Sequence, residues 1–139
     1  MRAVVILLLA VGLCALAEGS VMGVDIGSEF IKIAAPKGDQ IDIVLNEQTR
    51  RKSNNYVGFR ADDRFVGEDA KNLAARFPNN MFTMVNRLLG LSFEDKQREA
   101  FNSELQFSTK LVKNEKRGTI DVRCDKNPNV TYTPEELMG

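Results

Sequence analysis

The feature that most constrains the fold is the run Val21-Met22-Gly23-Val24-Asp25-Ile26-Gly27-Ser28-Glu29-Phe30-Ile31-Lys32-Ile33-Ala34-Ala35. A short apolar strand over Val21–Asp25 breaks at Ile26-Gly27-Ser28, and an apolar-alternating strand over Phe30–Ala35 returns. Pro36-Lys37-Gly38-Asp39 then turns the chain, and Ile41–Leu45 supplies a third strand. The segment therefore opens on a β-meander. Gly27 permits a tight turn in which the amides of Gly27 to Glu29 can converge as an anion nest, with the Ser28 hydroxyl as a further donor. Asp25, at the strand end, can hold a hard cation through its waters. The same residues equally suit an ordinary hairpin turn, and the local pattern leaves both readings open.

Downstream, Asn46–Asn55 is polar, carries Arg50-Arg51-Lys52, and reads as a long connection. That basic triplet suits a solvated loop or a contact to a partner. Tyr56–Phe59 resumes strand character and pairs with Arg64–Val66 across Ala61-Asp62-Asp63. The spacing of Ala70, Leu73, Ala74 and Phe77 predicts a helix over Glu68–Phe77 that Pro78 ends. Met81, Val85, Leu88 and Leu89 predict a second short helix over Met81–Leu89, and a weaker one is expected over Phe93–Leu105. Phe107–Val112 and Thr119–Arg123 predict a hairpin around Lys-Asn-Glu-Lys-Arg-Gly. Thr133-Pro134-Glu135-Glu136 carries an N-cap, a proline at the first helical position and a capping-box glutamate. Only about one turn follows before Gly139, too little for an isolated helix, so a longer parent protein is expected.

The amino terminus reads as a secretory signal: Met1-Arg2, then the uncharged apolar stretch Ala3–Leu16, then Ala15-Leu16-Ala17, with cleavage expected before Glu18. A membrane anchor is the alternative, but the stretch is short of the roughly 20 residues a span requires. Residues 1–17 are thus set apart from residues 18–139. With 19 basic and 19 acidic residues, net charge gives no case for nucleic acid. The chain has no histidine, which removes His-based general-base chemistry and most zinc sites. Of the 2 cysteines, Cys14 leaves with the signal, so Cys124 has no internal partner. Asn129-Val130-Thr131 is a glycosylation sequon, a candidate modification site at Asn129.

From Val21 onward the sequence resembles the amino-terminal part of the 70-kilodalton heat shock protein family, within the actin-like ATPase superfamily. The resemblance rests on Gly23-Val24-Asp25-Ile26-Gly27-Ser28, Ile43–Asn46, Tyr56-Val57-Gly58-Phe59 and Val66-Gly67-Glu68-Asp69-Ala70-Lys71-Asn72. It continues through Asn79-Asn80, Arg87-Leu88-Leu89-Gly90 and Tyr132-Thr133-Pro134-Glu135-Glu136-Leu137. The leader and the Gly-Ser-Glu turn look most like the large endoplasmic-reticulum branch. The resemblance implies an α/β fold: the first, incomplete part of an actin-like (ribonuclease H-like) ATPase domain. It implies ATP or ADP with Mg2+ as ligands. It matches Asp25 to an aspartate that orders magnesium waters, and Gly27, Ser28 and Glu29 to the first phosphate loop. Phe30 matches an aromatic beside that loop, with core packing as its alternative. Lys71 matches the lysine that positions the attacking water, with a solvent-facing helix lysine as its alternative.

Two departures stand out. The family usually has two threonines where this chain has Ser28 and Glu29, and a carboxylate there repels phosphate. It usually has a proline before the Tyr-Val strand, where this chain has Asn54-Asn55. The implied function is an ATP-binding chaperone of the endoplasmic-reticulum lumen that engages unfolded polypeptides and lumenal co-chaperones through later regions. The alternative is a non-hydrolysing, nucleotide-dependent regulator or exchange factor for another lumenal chaperone. The 139-residue chain alone is expected to lack ATPase activity and to expose apolar surface.

Overall fold

The computed structural model of the protein describes residues 21–104, 109–125 and 129–139. The leader expected over residues 1–17 lies outside them, as do the first residues of the hairpin strand expected from Phe107. Among the described residues, no helix is long and apolar enough to cross a membrane.

The expected meander is present as β1 (Gly23–Ile26), β2 (Phe30–Lys37) and β3 (Gln40–Ile43), in the order β1-β2-β3. Both pairings are antiparallel, with Asp25 opposite Lys32 and Ala34 opposite Ile43. The polar connection that follows is more ordered than its composition suggests. Asn46 accepts from the amides of Gln48 and Arg50 at 3.1 and 2.9 Å through Oδ1, and donates to Ser53 Oγ at 3.2 Å through Nδ2. The segment ends in a strand of its own, β4 (Ser53–Asn54), which places Asn54 opposite Phe30 on β2.

A second sheet has the order β6-β5-β7, from β5 (Tyr56–Arg60), β6 (Asp63–Val66) and β7 (Met81–Thr83). Strand β7 corrects the helix expected over Met81–Leu89. Tyr56, Val57 and Gly58 take Thr83, Phe82 and Met81 as ladder partners, and this long-range pairing overrides the helical spacing. Met84 then adopts a left-handed conformation (φ 56°), and a 3-10 turn over Val85–Leu88 follows. Helix α1 (Gly67–Ala74) also stops three residues short of the expected Phe77, and Pro78 begins a 3-10 turn over Pro78–Asn80. The proline's fixed φ and missing N–H suit a first-turn position.

Helix α2 (Lys96–Glu104) occupies the weaker helical segment. A third sheet, β10-β9-β8, contains the expected hairpin of β8 (Lys110–Lys113) and β9 (Ile120–Arg123), with β10 (Thr131–Tyr132) on its other side. Helix α3 (Pro134–Met138) starts as the sequence dictates: Glu136 N donates to Thr133 Oγ1 at 3.2 Å, and Thr133 N to Glu136 Oε2 at 2.8 Å.

The core lies under the second and third sheets. Val57, Phe82, Val85, Leu88, Phe101, Ile120, Val122, Cys124 and Leu137 form one buried cluster, and Ala70, Ala74 and Met81 a second. Burying a large apolar side chain contributes about 1.5–3 kcal/mol, so these residues carry most of the hydrophobic stabilisation. Cys124 is a core residue whose thiol donates to Asn80 Oδ1 at 3.3 Å. The first sheet contributes nothing to either cluster. Every residue of β1 is exposed, and Val24, Ile26 and Ile41 present 48, 48 and 80 % of their surface to solvent.

Two predictions follow from this packing. A Cβ at Gly58 would collide with Asn80 O and Met81 Sδ, so Gly58→Ala separates β5 from β7. The expected loss is about 1–3 kcal/mol in urea unfolding, and an unchanged midpoint would contradict the pairing. Asp125 accepts from Lys110 Nζ at 2.9 Å and Asn79 Nδ2 at 2.5 Å, which hold its carboxyl below the ordinary aspartate value. Its stabilising effect is therefore present above about pH 4 and lost as pH falls through the lowered value. Acid titrations of wild type and Asp125→Asn should separate above about pH 4 and converge as pH falls through the lowered value.

Candidate nucleotide-loop site

The turn between β1 and β2 is closed by Gly27 N donating to Phe30 O at 3.0 Å. A Cβ at residue 27 would lie 2.9 Å from the same carbonyl, so the turn needs glycine for its close approach. The Gly27 N–H is spent within the turn, so of the three amides expected to form an anion nest only those of Ser28 and Glu29 are left for that role. Both residues are exposed, as a ligand loop requires.

The turn is not held by a core. It is clamped by asparagines. Asn55 Nδ2 donates to Gly27 O at 2.7 Å and to Asn86 Oδ1 at 3.0 Å, while Asn55 N donates to Glu29 O at 2.8 Å. Asn86 Nδ2 reaches Ile26 O at 3.4 Å, and Thr83 Oγ1 donates to Asn55 O at 2.8 Å. Asn55 is 4 % exposed, so its polar groups have little access to water and depend on these partners. The sequence reading missed Asn55 and Asn86 as site residues. The available signal was the pair Asn54-Asn55 standing where a proline was expected, directly before an apolar strand.

Asp25 sits on β1 with its carboxylate 3.1 Å from Lys32 Nζ, its register partner across the hairpin. The aspartate side chain is 64 % exposed, so the pair is screened and weak, and the carboxylate can exchange its partner for a hydrated cation. Lys71 lies on α1, and its ammonium donates to Asn54 Oδ1 at 3.0 Å. Asn54 also donates to Glu68 Oε2 at 2.6 Å, and Glu68 pairs with Arg50 at 3.0 Å. Because Asn54 stands opposite Phe30, this chain of bonds links Lys71 to the strand that leaves the loop. Phe30 is half-buried with Lys52 Nζ 3.7 Å above its ring centre. Two members of the basic triplet, Arg50 and Lys52, thus have partners within the chain and are not simply solvated.

A cavity of about 590 Å3 opens between the first sheet, α1 and the end of α3, lined among others by Asn54, Asn55, Glu68 and Leu137. Asp25, Gly27, Ser28, Glu29 and Lys71 are not part of its lining, so size does not mark the loop site. Among the described residues no cluster of acidic, cysteine or histidine side chains could hold a metal by itself. Magnesium bound here would have to arrive with its own waters or with phosphate oxygens. Gly27, the Ser28 and Glu29 amides and a displaceable Asp25 fit a metal-bound phosphate on those terms.

The Hsp70 protein family model matches residues 21–139. The chain is 36 % identical over 121 residues to Hypoxia up-regulated protein 1 of Xenopus laevis, covering 86 % of this chain and 18 % of that protein. It is 34 % identical over 121 residues to Hypoxia up-regulated protein 1 of Mus musculus, covering 86 % of this chain and 12 % of that one. Heat shock 70 kDa protein of Emericella nidulans is 31 % identical over 118 residues, covering 85 % of this chain and 18 % of that relative. The chain thus spans less than a fifth of the length of these relatives.

The clamp makes a direct prediction. Asn55→Ala leaves the Gly27 carbonyl without its buried donor, at a cost of about 1–3 kcal/mol. Hydrogen exchange should accelerate at the Gly27 amide while protection of Ile120 and Val122 in the core is retained. Unchanged exchange at Gly27 would show that the turn stands without the clamp.

Proposed function

The chain belongs to the Hsp70 protein family and has the fold of the amino-terminal part of an actin-like ATPase domain, and from this we infer that the full-length protein is an ATP-binding chaperone of the secretory pathway. It assists folding in the endoplasmic-reticulum lumen, with ATP or ADP and Mg2+ as ligands. Unfolded polypeptides and lumenal co-chaperones engage regions beyond this segment. The lumenal assignment is supported by the leader-like residues 1–17 and by likeness to Hypoxia up-regulated protein 1.

The observation that carries the reading is the joining of the Gly27-Ser28-Glu29 turn to Lys71 through the Phe30–Asn54 pairing. When bound, the magnesium nucleotide supplies a phosphoanhydride bond open to hydrolysis. The Ser28 hydroxyl and the amides of Ser28 and Glu29 would donate to its phosphate oxygens, Asp25 would hold waters of the metal in place of Lys32, and Lys71, if freed from Asn54, would offset phosphate charge and orient a water. Phe30 flanks the loop and keeps β2 in register.

A specific observation favours the second reading, a non-hydrolysing regulator or exchange factor. Glu29 brings a carboxylate to the loop, and the Lys71 ammonium is already engaged by Asn54 in a network with Glu68. Both features raise the cost of assembling a hydrolytic site while leaving loop donors for binding.

The test is single-turnover hydrolysis and nucleotide affinity of the full-length protein. Lys71→Ala and Asp25→Asn should slow hydrolysis on the order of 10²-fold, with ATP affinity largely kept in the lysine variant. Magnesium-dependent ATP binding without hydrolysis in the wild type would select the regulator. No nucleotide binding at all would remove both readings.

A further inference from the structure

We propose that Asn129 accepts an N-linked oligosaccharide during synthesis and becomes refractory once β10 docks on β9. The proposal rests on the lumenal reading above. Asn129 is exposed at the approach to β10, where a bulky glycan meets solvent rather than core. The third sequon residue, Thr131, is the first residue of β10 and lies opposite Arg123 of β9. Its hydroxyl donates to Asp121 Oδ2 at 3.0 Å. Asp121 is 6 % exposed, and Asn114 Nδ2 reaches both of its carboxylate oxygens at 3.1 Å. Thr131 thus completes the hydrogen bonding of a buried carboxylate. Immediately beyond, the Thr133 capping box and the buried Leu137 anchor the chain.

The acceptor tripeptide requires the hydroxyl of its third residue. In the folded chain that hydroxyl is committed to Asp121, and freeing it leaves a buried charged acceptor short of a donor. Pairing of Thr131 with Arg123 on β9 also fixes the third residue of the sequon against the sheet. In the transfer, the Asn129 amide nitrogen attacks the anomeric carbon of a lipid-pyrophosphate-linked oligosaccharide. The new C–N bond forms as the C–O bond to pyrophosphate breaks. The lipid pyrophosphate departs with the electron pair, and the amide nitrogen loses one proton. Thr131 emerges ten residues after Asp121, on the order of a second at roughly 5–20 residues per second, so transfer competes with docking.

The experiment translates the full-length protein into endoplasmic-reticulum microsomes, behind its own leader and behind an unrelated cleavable one. A glycosidase-sensitive mobility step that disappears in Asn129→Gln is expected from both. If only the unrelated leader yields it, the lumenal reading fails and the sequon proposal stands. If the protease-protected protein behind the unrelated leader lacks it, the proposal is overturned. The masking is tested with purified, unglycosylated native protein, transferase and lipid-linked donor. Modification at Asn129 should be at least about tenfold slower than for a peptide of residues 127–133, the equivalent of one such hydrogen bond. Equal rates would overturn it.

Discussion

The hydrogen bonds of Asn55 are the constraint on which the arrangement depends. The first sheet has no apolar core beneath it, yet it carries the loop. Its turn is tied to the rest of the chain by one buried amide that bonds Gly27 and Asn86 and one backbone N–H that bonds Glu29, beside the Asn54 bonds to Glu68 and Lys71. Thr83 on β7 fixes the same residue from the second sheet. A buried asparagine with all these partners is directional in a way that apolar packing is not. It sets where the turn points as well as how close it lies.

The clamp is shared between two adjacent asparagines. Where relatives of this type are expected to have proline, Asn54-Asn55 adds two side-chain amides. One holds the loop and the other holds Lys71. The two adjacent residues therefore order the Gly27 turn and engage the Lys71 ammonium through separate partners.

Local signals were legible wherever their cause was local. The Thr133 capping box, a tight turn at Gly27 and, over the described residues, the β8–β9 hairpin need only near neighbours in sequence, and each is present. Met81–Leu89 was misread because Met81, Val85 and Leu88 satisfy helical spacing, while the competing partner, Tyr56–Gly58, is over twenty residues away. Phe77 fell outside α1 for a related reason: it packs against the Ala70, Ala74 and Met81 cluster without continuing the helix. Ser53-Asn54 looked like loop because two polar residues reveal no strand until Phe30 and Ile31 stand opposite them.

The sequence by itself determined the family, the opening meander, the glycine turn and the identities of Asp25, Ser28, Glu29 and Lys71, because spacing and residue type carry those. Only the tertiary structure decided how they meet. It spent the Gly27 amide within the turn, set Lys32 against Asp25, engaged Lys71 with Asn54 and masked Thr131 on Asp121. Each of these depends on which hydrogen-bonding groups face one another after strands pair, and pairing partners distant in sequence leave no local periodicity to read.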